Sequence, residues 1–116
     1  MIKITDVITR RIVQALIGVL VCVSPVFAEV EVRVSIKDHH FVPAEIKVKP
    51  NEKVKLIVTN EDPTAEEFES FSLNREKMIR PGQSVTIYLS PLKPGRYEFF
   101  GEFHPDSAKG RIIAEE

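Results

Sequence analysis

Apolar and polar residues alternate along almost the whole chain after Ala28. A period of two is typical of a β-strand with one face in a core and the other in water, whereas an amphipathic helix repeats every 3.6 residues. The alternation is clearest in segments 30–37, 45–49, 53–59 and 84–89. Strands with one wet face belong to antiparallel or mixed sheets, and not to a parallel sheet covered by helices.

Turn-forming residues stand where these segments end. They occur as Pro50-Asn51, as the run 60–63 (Asn-Glu-Asp-Pro), as Pro81-Gly82 and as Pro94-Gly95. Proline presets the backbone of a turn, and glycine or asparagine accepts a positive φ. Short strands separated in this way predict an all-β domain built as a β-sandwich. Segment 74–78 is a candidate for one helical turn.

The first 28 residues are predicted to be a secretory signal peptide that is cleaved after Ala28. Lys3, Arg10 and Arg11 open the chain, an apolar run covers 12–23, and Val26-Phe27-Ala28 provides a cleavage site with small residues. The apolar run is shorter than the ~20 residues that a membrane span needs, and an uncleaved anchor is the alternative. The sequence therefore predicts a signal peptide, 1–28, and one exported domain, 29–116.

The predicted exported domain contains no cysteine, because the single cysteine of the chain, Cys22, lies in the leader. Disulfides, thiolate metal ligands and nucleophilic cysteines are thereby excluded from the domain. Removal of the leader changes the net charge from −1 to −3, and a weakly acidic domain is not expected to bind nucleic acid. The sequence shows no nucleophile elbow, no glycine-rich phosphate loop and no basic amphipathic segment, so hydrolase, nucleotide-binding and lipid-binding functions are not expected.

The stretch 97–110 reads as a strand, a loop and the start of a last strand, and it carries His104 together with carboxylates. Tyr97, Phe99 and Gly101 share one face of the strand, so its apolar side leads to the mouth of the loop. A loop of this kind, between two core strands, is a candidate metal site. The structural alternative is that His104 is a surface residue.

Several spaced residues resemble the cupredoxin family along the whole predicted domain. These are Asp38-x-x-Phe41-x-Pro43, Val58-Thr59-Asn60-x-Asp62, Pro81-Gly82 and Pro94-Gly95-x-Tyr97. The resemblance implies a Greek-key β-sandwich with a metal at one end.

Three segments are similar to a subgroup of cupredoxin-like proteins that is linked to bacterial periplasmic iron uptake. They are 66–70 (Glu-Glu-Phe-Glu-Ser), 73–77 (Leu-Asn-Arg-Glu-Lys) and 100–106 (Phe-Gly-Glu-Phe-His-Pro-Asp). The similarity implies a periplasmic location, copper or iron as the metal, and two partners, an inner-membrane iron permease and a periplasmic iron-binding protein.

The sequence departs from the blue-copper pattern of this family, which uses two histidines, a cysteine thiolate and a weak axial methionine. Gly101 stands at the thiolate position, three residues before His104, and Glu66 stands where the first histidine is usual. No methionine follows His104. A type-1 blue copper site is therefore not expected.

The candidate metal ligands are His104, Glu67, Glu69, Glu66 and His40. Carboxylates in place of a thiolate make a site harder, and imidazoles with carboxylates suit Cu(II), Fe(II)/Fe(III), Mn or Zn. Strand parity puts Glu66 on one face and Glu67 and Glu69 on the other, so all three cannot enter one site unless the strand is bulged. The iron-uptake pattern favours Glu67 and Glu69, whereas the general family alignment favours Glu66.

The neighbouring residues have simpler interpretations. His39 is expected to be exposed, and Met78 is expected to pack in the core. Phe100 and Phe103, which lie off the core parity, are candidates for an exposed apolar rim that marks a docking surface.

The leading hypothesis is a periplasmic metal-binding accessory of an iron-uptake system, with copper or iron near His104. Assistance in Fe(II) oxidation or electron transfer is conceivable, because carboxylates stabilise Fe(III). A second hypothesis is a domain without metal that docks onto the permease complex. A third is copper storage or delivery, for which Met78 would be the sole sulfur in the domain.

Overall fold

The computed structural model describes residues 28–116. The predicted leader lies outside these residues except for Ala28, so its cleavage stays a prediction. Every regular element in the described part is a β-strand: β1 (Glu29–Lys37), β2 (His40–Val42), β3 (Glu45–Val48), β4 (Lys53–Asn60), β5 (Glu66–Ser70), β6 (Arg75–Ile79), β7 (Ser84–Leu89), β8 (Gly95–Gly101) and β9 (Lys109–Ala114). Among residues 28–116, no helix has the length and hydropathy needed to cross a membrane.

The strands form two packed sheets. One has the order β2-β1-β4-β7, and the other has the order β3-β9-β8-β5-β6. Both sheets are mixed, because β1 runs parallel to β4 and β3 runs parallel to β9, whereas the other pairs are antiparallel. The predicted all-β sandwich is confirmed.

The core lies between the sheets and is built by the alternating residues that the sequence indicates. On β4, Val54, Leu56 and Val58 are 1%, 0% and 0% exposed. Burial of such a side chain contributes about 1.5–3 kcal/mol. At the centre, the ring of Phe99 lies 4.9 Å from that of Phe41 and 5.0 Å from that of Phe68, in edge-on and stacked contacts respectively.

The predicted turns at Asn51 and Gly82 are confirmed by positive φ angles of 66° and 73°. The helical turn that the sequence allows at 74–78 is wrong. Asn74 has a φ of 53° and ends the turn between β5 and β6, after which the chain pairs with β5 as strand β6. Pairing with a neighbouring strand outweighs local helix propensity here.

Candidate metal centre

A buried carboxylate and a loop histidine form a hydrogen-bonded pair at one end of the sandwich. Glu66 shares the inward face of β5 with core residue Phe68, and both are nearly inaccessible to water, at 2% and 0% exposed. Glu66 Oε2 lies 2.6 Å from His104 Nδ1. The other oxygen, Oε1, accepts hydrogen bonds from the amides of Glu67 and Phe103, each at 2.9 Å. Both carboxylate oxygens thus have hydrogen-bond partners, as buried polar groups require.

Gly101 makes room for this carboxylate. A Cβ atom on residue 101 would lie 2.6 Å from Glu66 Cδ and 2.7 Å from Ala108 Cβ, closer than side-chain atoms pack. The position that carries the thiolate in the family pattern is therefore filled by the side chain of Glu66.

His39, which was expected to be exposed, completes this end of the molecule. Its ring stacks on that of His104, with centroids 3.5 Å apart and planes inclined by 14°. Its side chain remains 41% exposed, and Nδ1 lies 3.4 Å from Asp62 Oδ2. We call Asp62, Glu66, His39 and His104 the histidine end.

The turn that places His39 is strained and is held by Asp62. Asp38 and His39 have φ angles of 52° and 61°, in the left-handed region that costs about 1–2 kcal/mol for a residue with a side chain. The buried Asp62 accepts hydrogen bonds from both of their amides, at 2.7 and 2.9 Å. The sequence shows the tandem histidines and the Asn60-x-Asp62 pattern, but only the folded turn shows that Asp62 holds the backbone of His39.

His40 does not join the histidine end. On β2, Phe41 is buried whereas His40 is exposed, because neighbouring residues of a strand point to opposite faces. His40 Nδ1 contacts the carbonyl oxygen of Asp38 at 2.7 Å.

The histidine end does not fit a blue-copper centre. Its donors are two imidazoles and two carboxylates, and the one sulfur atom in residues 28–116, that of Met78, lies on strand β6. Since the rings of His39 and His104 are nearly parallel, an ion in the plane of one ring would lie outside the plane of the other. The carboxylate oxygens of Glu66 and Asp62 are hydrogen-bonded to other groups of the protein.

The remaining two candidates, Glu67 and Glu69, lie on the outward face of the same strand. There they meet Glu76 of β6 and Glu102, which follows β8, and one carboxylate oxygen from each of the four lies within 4.8 Å of those of the others. We call these four residues the carboxylate cluster. Glu69 stands directly opposite Glu76, and the amide of Glu102 donates to the carbonyl of Glu67 at 2.9 Å.

Sequence reasoning missed Glu76 and Glu102. The pairing of Glu76 depends on the register of the β5–β6 hairpin, whose turn covers residues 71–74. Glu102 depends on contact with β5 across the sheet, which sequence spacing does not reveal.

The four carboxylates disturb one another's ionisation. The hydrogen bond with Glu76 is the largest cause that raises the pKa of Glu67 to about 7, and partial burial and the charges of Glu76 and Glu102 add to it. Burial raises the pKa of Glu69 above its ordinary value, and the same two charges raise it further. Like charges opposite each other destabilise a sheet, and a bound cation would reverse the sign of this interaction.

Partly exposed apolar residues lie next to members of the carboxylate cluster, since Met78 pairs with Glu67, Phe100 pairs with Glu69 and Phe103 follows Glu102. Met78, which was expected in the core, is 48% exposed, because it shares the outward face of β6 with Glu76. Phe103 is 46% exposed, and Phe71 is 79% exposed with its ring 5.6 Å from that of Phe100.

The two-sheet sandwich with a histidine-bearing loop at one end defines a cupredoxin-like protein. Residues 12–114 match the family model of the cupredoxin-like domain. The chain belongs to the cupredoxin-like domain family.

Several known proteins are similar to this chain. Over 86 residues the chain is 52% identical to an uncharacterised protein of Rickettsia prowazekii (strain Madrid E), and the alignment covers 74% of this chain and 69% of that protein. The metal binding domain of the Cu(I) exporting P-type ATPase of Streptococcus pneumoniae D39 has a TM-score of 0.69 at 18% identity, covering 80% of this chain and 92% of that domain. Auracyanin A, a blue copper protein from Chloroflexus aurantiacus, has a TM-score of 0.67 at 11% identity. The alignment covers 76% of this chain and 100% of auracyanin A.

At these identities the solved structures establish a shared fold. The resemblance to the cupredoxin family is confirmed by the match to the family model. Membership of the iron-uptake subgroup stays a prediction.

Proposed function

We propose that this protein is an exported, periplasmic metal-binding accessory of an iron-uptake system, and that iron binds to the carboxylate cluster. The observation that carries the proposal is the convergence of Glu67, Glu69, Glu76 and Glu102 on the outer face of a rigid sheet. Four carboxylates held together against their mutual repulsion are what a multivalent cation would neutralise.

The donor set supports a hard ion. Every side-chain donor of the carboxylate cluster is an oxygen, and carboxylate oxygens suit hard cations, whereas imidazole suits copper and zinc. Oxygen donors also favour Fe(III) over Fe(II), and the proposal assigns binding of iron without turnover. The choice of iron among the hard metals, and the proposed partners, an inner-membrane iron permease and a periplasmic iron-binding protein, rest on the subgroup resemblance of segments 66–70, 73–77 and 100–106.

Copper is the alternative ion, since copper is named for the solved relatives. Cu(II) forms tighter complexes than most divalent ions with almost any donor set, so bare affinity does not identify the native metal. The loss of metal affinity on substitution of the cluster carboxylates tells more about the site than the affinity itself. Cu(I) storage or delivery is less well supported, because Met78 supplies the one sulfur atom of residues 28–116.

The test is calorimetric titration of the protein with Fe(II) under nitrogen and with Mn(II). The double variant Glu67→Gln/Glu69→Gln is compared with Glu29→Gln/Glu31→Gln, which changes the same Glu-x-Glu pattern on β1 of the other sheet. We expect the first pair to weaken binding by at least about tenfold and the second to leave it unchanged. Equal binding by the parent and the Glu67/Glu69 variant would refute the assignment.

A domain that binds no metal and acts as an interaction module is the second candidate. It is favoured by the histidine end, where Glu66 and Asp62 are fully hydrogen-bonded within the protein. It predicts that the purified protein neither contains nor takes up metal, and that a variant lacking the His104, Glu67 and Glu69 side chains still captures the permease.

A further inference from the structure

The histidine end and the carboxylate cluster are joined through the backbone. Glu67 follows Glu66 directly, and Glu102 lies two residues before His104. Two of the four cluster carboxylates are therefore carried by residues one or two positions from the buried Glu66–His104 pair.

One buried oxygen links the two segments. Glu66 Oε1 accepts the amide of Glu67, on its own strand, and the amide of Phe103, in the loop after β8, each at 2.9 Å. The bond from His104 Nδ1 to Oε2, at 2.6 Å, anchors the other end of the loop to the same carboxylate. Glu66 thereby fixes the loop on both sides of Phe103 against β5.

Glu102 is the cluster residue that most needs such support. Glu67 and Glu69 belong to β5 and Glu76 to β6, where ladder hydrogen bonds hold the backbone. Glu102 lies beyond the end of β8, in a turn, where a single backbone hydrogen bond, from its amide to the carbonyl of Glu67 at 2.9 Å, ties it to β5. Repulsion from the other three carboxylates would drive it outwards if the loop were free to move.

We propose that the Glu66–His104 pair is the positioning element of the carboxylate cluster, and that it holds Glu102 beside Glu67 for metal binding. The inference rests on the proposed function. Glu66 and His104 act through the backbone, since neither belongs to the four residues whose carboxylate oxygens converge. Both oxygens of Glu66 are hydrogen-bonded within the protein, and His104 Nδ1 is bonded to Glu66. The histidine end thus serves as a support for a site on the outer sheet face.

Two substitutions of His104 separate this role from packing. His104→Phe keeps a ring against His39 but removes the Nδ1 donor, whereas His104→Asn removes the ring but places an amide N–H close to the position of Nδ1. His40→Ala, which changes an exposed histidine outside the histidine end, is the control. If His104→Phe does not fold, His104→Ala replaces it, since the smaller side chain lets water reach Glu66.

Metal affinity is measured with Mn(II) by calorimetry, and hydrogen exchange is measured at the amides of Glu102 and Phe103. We expect His104→Phe to weaken Mn(II) binding by about 10- to 100-fold, as is usual when a residue that orients ligands is changed. The same variant should exchange faster at the two amides. His104→Asn should retain most of the affinity and of the protection.

If His104→Phe keeps the Mn(II) affinity and amide protection of the parent and His104→Asn loses them, packing of the ring is what matters, and the inference is overturned. Equal affinity and protection in all variants would overturn it as well. If Glu67→Gln/Glu69→Gln weakens binding but His104→Phe does not, the inference fails and the proposed function stands. If the parent binds no metal, the proposed function fails, and so does the inference that the pair serves metal binding.

Discussion

The carboxylate of Glu66 lies over Gly101, and a Cβ atom on residue 101 would meet Glu66 Cδ at 2.6 Å and Glu66 Oε1 at 2.8 Å. A glutamate at position 66 in this rotamer therefore excludes any larger residue than glycine at position 101. In the family pattern these two positions hold a histidine and a cysteine. Glu66 and Gly101 fit each other sterically, and the space beside Gly101 is filled by a carboxylate that is hydrogen-bonded to His104.

Gly101→Ala is expected to destabilise the protein by about 1–3 kcal/mol, the usual cost of an extra methyl group in a packed interior. Urea unfolding followed by circular dichroism measures the loss. The Glu66→Ala background removes the clashing carboxylate, so the loss due to Gly101→Ala should be smaller there than in the parent. Additive losses would show that the two side chains do not compete for the same space.

The carboxylate cluster predicts a stability that falls as the pH rises. The pKa of Glu67 is raised from the ordinary 4.5 to about 7 in the folded protein, so between these values the folded state binds more protons than the unfolded state. The stabilising effect of the proton is fully present below about pH 4.5 and is lost as the pH rises through about 7. The raised pKa of Glu69 acts in the same direction.

Glu67→Gln removes this proton linkage and part of the repulsion. Without metal, the midpoint of urea unfolding of the parent should decrease more between pH 4.5 and pH 8 than that of the variant, and the variant should be the more stable protein at pH 8. Glu31→Gln, on the other sheet, is the control. Parallel pH profiles for the parent and Glu67→Gln would contradict the carboxylate interaction.

Asp62→Ala should release the strained turn that carries His39. Two backbone amides would lose a buried, charged acceptor, and the expected loss of stability is about 1–3 kcal/mol. The chemical shifts of the His104 ring should also change, because His39 no longer stacks on it. Glu61→Ala, an exposed neighbour, should have neither effect, and unchanged His104 shifts in the Asp62 variant would refute the role of Asp62 in placing His39.

Local pattern predicted the strands and the core, as the buried Val54, Leu56 and Val58 of β4 illustrate. It also predicted that Glu66 and Glu67 lie on opposite faces of their strand. Alternation alone does not say which face points into the core, so only the structure shows that Glu66 is the inward residue. Glu76 and Glu102 reach the carboxylate cluster through strand register and a loop contact, which are non-local. His39 reaches His104 through a left-handed turn that Asp62, 23 residues further along the chain, holds by hydrogen bonds, and this contact is also non-local.

Crystals soaked with Mn(II) and with Fe(II) under nitrogen, and recorded on both sides of each metal's absorption edge, test the central claim most directly. The account predicts an anomalous peak within bonding distance of Glu67, Glu69, Glu76 and Glu102, with the Glu66–His104 pair intact. A peak on the imidazole of His104 or His39, with Glu66 turned away from Gly101, would contradict it.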